Sequence, residues 1–255
     1  LLWLVAGAAA PAPLHQALVT VSLAADGARA TVKLDRAVTR FVFAAVDTVR
    51  NGTFELLTPG LTFADDTVTS RKPFTQFTLR IRAETREHDG KYPAYYTVGR
   101  GGLLYVPALL GGDGWQSRIR LIAAPGTVRL PVAESLTNGY VFIGPRAAIT
   151  DTPASAVVAD PTTPRWLTDA SRAELGKAVR YFSTALGIAL PRKPLLVVKN
   201  IDDGTGFVGD VTPGPVTALR FHGAPATPDP VNQAQITGFV FHEAFHFWNG
   251  GIADN

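Results

Sequence analysis

The chain has neither cysteine nor methionine among its 255 residues. Without cysteine there are no disulfides and no thiolate metal ligands, so any metal site must be built from His, Asp or Glu, and the redox compartment stays open. Without methionine, the chain is expected to begin inside a longer translated sequence. Long apolar runs are missing too, and none reaches the about 20 residues that a membrane-spanning helix needs, so no integral membrane segment is expected. Charge of one sign is scarce. Lys and Arg number 24 against 21 Asp and Glu, a formal net charge of +3, and no dense basic run implies a nucleic-acid partner. The glycine-rich stretch 201–215, "IDDGTGFVGDVTPGP", lacks the Gly-Lys-Ser/Thr ending of a phosphate loop and reads as a flexible surface loop.

What is present suits a globular protein. The chain is 46% apolar, ample for a sizeable core in one large domain or two ordinary ones. Residues 1–15 open with "LLWLVAGAAAPAP", which reads as the remnant of a secretory signal peptide that has lost its charged start. An exported protein, periplasmic or secreted, is expected.

Residues 16–150 are strand-like. Segments such as "ALVTVSLA", "TQFTLRIR" and "YVFIG" are short, β-branched and aromatic, and are separated by Gly, Asp, Asn and Pro. Within Thr75–Arg82, Phe77, Leu79 and Ile81 fall on one face while Thr78, Arg80 and Arg82 fall on the other. The expectation is a mainly β N-terminal domain, a β-sandwich, over 16–150. Beyond it, residues 151–255 change character. Leu175, Val179, Phe182 and Leu186 recur at helical spacing, with Thr168 or Asp169 as cap and Gly187 as stop. "PLLVVKN" and "VTALRFHG" read as strands, the second ending at His222, a lone histidine read as structural.

The last helix is signalled by Asp229 before Pro230 and by glycines at 250 and 251. Its apolar residues spread around most of the circumference, so burial on several sides is expected. It carries "FHEAFHFWN". His242 and His246 are one turn apart and can converge on one ion, while Glu243, rotated by about 100°, is placed to reach a metal-bound water as a general base. The alternative is two core histidines bonded to backbone. The residue types favour zinc, and peptide hydrolysis as the chemistry, because zinc lowers the pKa of its water toward about 7 and a neighbouring carboxylate can pass that proton to a leaving amine.

"HEAFHFWN" resembles the metal helix of the gluzincin metallopeptidases. Trp248, two places after the second His, is shared with the alanyl and glycyl aminopeptidase families, and the Phe245 and Asn249 context is more similar to the latter. The resemblance implies a β-rich domain followed by an α+β thermolysin-like catalytic domain, incomplete at its C-terminus. It makes His242 and His246 ligands of one Zn2+ and Glu243 the base. It also implies a third ligand, a Glu on a following helix beyond Asn255, since no Glu follows Glu243 here. Ile252, not His, stands where the extended metzincin motif would put its ligand. Asp210 is the only carboxylate near the place where these aminopeptidases hold the substrate's free amine, although it equally reads as a turn residue beside Gly209. Val216 and Ala218 lie on a strand that could align a peptide by edge pairing. With Trp248 they complete the candidate substrate contacts. The function implied is an exported zinc aminopeptidase acting on peptides or proteins. A zinc endopeptidase of the same class and a non-catalytic scaffold that keeps the fold are the alternatives.

Overall fold

The computed structural model describes residues 14–24, 27–84, 90–131, 138–201 and 204–249. The segment expected to be a signal remnant lies almost wholly outside them. The first strands are β1 (His15–Ala24), β2 (Gly27–Val42), β3 (Phe54–Leu56), β4 (Thr62–Ala64) and β5 (Thr67–Ile81). There follow β6 (Tyr95–Val98), β7 (Gly101–Tyr105), β8 (Trp115–Ile122), β9 (Thr127–Leu130) and β10 (Tyr140–Pro145). They form a six-stranded sheet, β3-β5-β2-β1-β8 with β4 on β5, and a four-stranded sheet, β6-β7-β10-β9.

The alternation in these strands is used as period two requires. Val19, Val21, Val32, Phe77, Leu79 and Ile81 face inward and are completely buried. The four-stranded sheet is different: every residue of β7 is buried, as are all but the last of β10, so both its faces are covered. Its strands accordingly read as continuous apolar runs. β2 runs unbroken through 16 residues, with bulges where it meets β5.

The remaining elements are β11 (Ile149–Asp151), β12 (Ala156–Ala159), α1 (Arg165–Leu186), β13 (Leu195–Ile201), β14 (Gly206–Thr212), β15 (Val216–His222) and α2 (Pro230–Asn249). The third sheet has the order β11-β12-β13-β15-β14. β12, β13 and β15 are parallel, and β14 pairs antiparallel with β15 at the edge. Helix α1 makes the crossover between β12 and β13 that a parallel pair demands. It begins at Arg165, after Pro164, so Thr168 and Asp169 lie inside its first turn instead of capping it; Gly187 ends it in the left-handed conformation at φ 67°.

Alternation splits this sheet between two cores. Leu195, Val197, Val216 and Ala218 join the apolar cluster of the β-rich part, while Leu196, Val198, Leu219 and Phe221 join a second cluster with α1 and α2. The sheet is thus clamped between the four-stranded sheet and the two helices. Among the described residues, no helix is long and apolar enough to cross a membrane.

Candidate metal centre

Helix α2 starts where its sequence says it should. The Asp229 carboxylate accepts the Asn232 N–H at 2.9 Å, and the Asp229 carbonyl accepts the Gln233 N–H at 3.0 Å. Ile236, Phe239, Val240, Ala244, Phe247 and Trp248 are buried, but Val231 and Phe245 are exposed, so burial is less complete than the circumference of apolar residues suggests. Phe239 packs on Phe207 of β14, centroids 4.4 Å apart and rings tilted by 37°, and sets the helix against the edge strand.

On the remaining face, His242 and His246 converge. Their Nε2 atoms are 3.3 Å apart and their ring centroids 5.0 Å. Two nitrogen ligands at about 2.0–2.1 Å from one tetrahedral ion lie about 3.4 Å from each other, so the spacing of the pair matches that of two zinc ligands. Burial, and then the neighbouring His242, lower the pKa of His246, which keeps that imidazole neutral as ligation requires. No third His, Asp or Glu joins them among the described residues.

Glu243 is buried, 8% exposed. Its pKa is raised, first by burial; the positive influence of His242 and Arg220 opposes this and the carboxylate of Asp210 reinforces it. Its side chain lies on the backbone of β14. A Cβ added at Gly209 would sit 2.3 Å from Glu243 Cδ, so only glycine leaves room for the carboxylate there.

β14 overturns the expected loop at 201–215. Phe207, Gly209 and Val211 face α2, and Val208, Asp210 and Thr212 face the β-rich part. Glycines at 204, 206, 209 and 214 hid the strand from its composition. Asp210 is therefore a strand residue, not a turn residue, and its carboxylate lies on the side away from Glu243. It accepts from Arg220 at 2.5 Å and from the Tyr140 hydroxyl at 3.0 Å, with both partners buried. Arg220 and Tyr140 carried no sequence signal as its partners. Gly209 did carry one, since a glycine inside a strand marks a close approach.

Two expectations are corrected. Val216 and Ala218 are 0% exposed on β15, an interior strand bonded on both sides, so neither can pair a substrate; among the described residues the free edge belongs to β14. Trp248 points away from the histidines, because two residues along a helix turn through about 200°. Its indole N–H donates to the Ile188 carbonyl at 2.9 Å and its ring packs on Phe182 at 5.5 Å, which makes it a packing residue between α2 and α1. His222 stands at the end of β15, lining a cavity of about 390 Å³ with Trp166, Phe207 and Ile236 near the start of α2.

The chain matches no protein-family model and no curated protein. Among solved structures, it is similar to an aminopeptidase N family protein of Idiomarina loihiensis, at TM-score 0.57 and 13% identity over 92% of this chain and 48% of that one. The fold is aminopeptidase-like. It is also similar to Legionella pneumophila aminopeptidase A in complex with aspartic acid, at TM-score 0.51 and 13% identity over 92% of this chain and 34% of that one. The chain thus spans about half and about a third of these two proteins. The likeness is one of fold and does not single out the glycyl aminopeptidases.

Proposed function

We propose that the chain is the β-rich part and the first section of the thermolysin-like catalytic domain of an exported zinc peptidase, an aminopeptidase in the first reading. The observation that carries this is the convergence of two imidazole nitrogens beside a buried glutamate seated on an edge strand. His242 and His246 would hold the zinc, with a Glu beyond Asn255 as third protein ligand. Zinc bound there supplies a water acidic enough to be deprotonated near neutral pH and a positive charge opposite developing negative charge. Glu243 takes a proton on its carboxylate and returns it to the departing amine, roles that its raised pKa suits. The free edge of β14 offers main-chain N–H and C=O groups to an extended peptide, fixing its register beside Glu243. The likeness to solved aminopeptidases supports the exopeptidase reading, and the apolar opening residues support export.

One observation favours a second reading. Asp210 is committed to Arg220 and Tyr140, so its charge is already neutralised and is poorly placed to hold a substrate ammonium. An endopeptidase needs no such anchor. Turnover of the longer parent on peptides with free and blocked N-termini separates the two: an aminopeptidase loses the blocked substrate, an endopeptidase keeps it.

The proposal is tested on the parent protein by metal content and peptide turnover together. Glu243→Gln should retain zinc and lose activity by about 10²-fold or more, while His242→Ala and His246→Ala should lose the zinc itself. Full activity in Glu243→Gln removes the proposed base. Zinc without turnover in the native protein leaves the non-catalytic scaffold as the better reading.

A further inference from the structure

Among the described residues the outer face of the six-stranded sheet has no partner element, and its composition is lopsided. Register places Arg118, Leu18 and Lys33 in one row across β8, β1 and β2; Arg120, Thr20, Thr31 and Thr78 in the next, reaching β5; and Ile122, Ser22, Arg29 and Arg80 in a third. Rows are about 6.8 Å apart and strands about 4.8 Å apart. The shared hydroxyl contact of Thr31 and Thr78 at 3.1 Å confirms that these side chains stand on one face. Among the described residues two carboxylates interrupt it. Glu55 is held by Arg82 at 2.6 Å and by Arg80 at 3.7 Å, and Asp35 at one corner accepts the Gln16 N–H at 2.7 Å.

Arg29, Lys33, Arg118 and Arg120 are exposed and have no carboxylate partner among the described residues. With Arg80 and Arg82 they outnumber those two carboxylates, so the described residues of this face carry a net positive charge.

We infer that this face docks on the surface of an anionic lipid bilayer. Two features of the face select that partner over other polyanions. It exposes two aliphatic side chains, Leu18 at 40% and Ile122 at 48%, and Leu18 stands between Arg118 and Lys33, so an apolar contact below the headgroups is flanked by cations that pair with phosphates. Its described residues present no aromatic side chain, whereas sheet faces that bind single-stranded nucleic acid stack bases on aromatics. Attachment is peripheral and leaves the α2 side of the molecule facing away from the lipid.

The test is co-sedimentation of the 255-residue chain with phosphatidylcholine vesicles made with and without phosphatidylglycerol. Binding should require the anionic lipid and fall away as salt rises from about 0.1 to 1 M, because the screening length shrinks from about 10 to 3 Å. Each cation near an anionic leaflet strengthens attachment about fivefold, so Arg118→Gln with Arg120→Gln should weaken it about 25-fold. Arg165→Glu with Arg192→Glu, exposed cations on the helical side, should change it little. Leu18→Ser with Ile122→Ser should weaken vesicle binding and leave any residual binding to heparin or DNA unaltered. All three are surface changes, and circular dichroism checks that each variant keeps its fold. Equal binding to both kinds of vesicle, equal loss in the helical-side variant, or heparin or DNA bound as tightly as vesicles with no effect of the aliphatic changes would each overturn the inference.

Discussion

Gly209 is without a side chain because Glu243 occupies the space one would need. Its φ is unremarkable for a strand, so the requirement is for room and not for a left-handed backbone. A methyl group at this position must push either the carboxylate or the edge strand, and a displacement of about 1 Å at a reacting group can cost about 10²-fold in rate. Gly209→Ala in the parent protein should therefore reduce kcat strongly and retain zinc, since neither His242 nor His246 is changed. The overpacking should cost about 1–3 kcal/mol of stability. Parallel measurements of kcat, metal content and denaturation midpoint check this; unchanged kcat would mean that Glu243 has another resting place.

At the scale of elements, β14 joins the two halves of the problem, with α2 on one face and the β-rich part on the other. Its second face is fixed by Asp210, Arg220 and Tyr140, all buried, with the Arg220 guanidinium also lying over the Tyr96 ring at 5.6 Å. Tyr140 further donates its backbone N–H to the Thr212 hydroxyl at 3.0 Å. Asp210→Asn keeps the shape and removes the charge, leaving a buried guanidinium without its carboxylate, which should destabilise the fold by about 3–5 kcal/mol. Asp210→Leu combined with Arg220→Met should recover most of that loss, because an apolar replacement removes the desolvation penalty of both ions. Urea denaturation of Asp210→Asn, and of Asp210→Leu, Arg220→Met and their double variant, measures the loss and the coupling. If Asp210→Asn is as stable as the native chain, the pair is not what fixes β14.

These elements also mark how far the sequence could be read. The alternating strands of the six-stranded sheet and the metal helix were legible because each follows one period and is bounded by recognisable turn or cap residues. His242, Glu243 and His246 could be placed on one helix by spacing alone. β14 could not be read, because glycines inside it serve close packing yet look like loop glycines, and the strand has no polar-apolar alternation to outweigh them. The role of Trp248 was misread for a related reason. Motif neighbours suggest a site, but helical rotation sends this indole into the α1 interface. The partners of Asp210 lie 10 and 70 residues away in sequence, and only the folded sheet brings them together.

For the whole molecule, the question is what holds the β-rich part to the third sheet beyond their shared core. A small polar contact does so at the β6–β7 turn. Gly99 N–H donates to the Asp160 carboxylate at 3.0 Å, Thr162 donates to it through its backbone at 3.1 Å and its hydroxyl at 2.8 Å, and Lys199 donates to the Thr97 carbonyl at 2.9 Å. Gly99 is required twice over, by its φ of 55° and by Pro161, whose Cδ would lie 3.1 Å from an added Cβ. Burial alone would raise the pKa of Asp160, but the donors from Gly99 and Thr162, with the charge of Lys199, bring it below the ordinary value. A carboxylate with a depressed folded pKa contributes stability that is complete above its unfolded value of about 3.9 and disappears as pH falls through the folded value. Asp160→Asn should thus cost about 1 kcal/mol at pH 7, at the low end for a charged acceptor because the site is half-exposed. It should also flatten the loss of stability on acidification, so that the native and variant denaturation midpoints draw together below about pH 4. Midpoints measured from neutral pH into this acid range decide the matter: curves that stay parallel would show that Asp160 does not link the two parts through its charge.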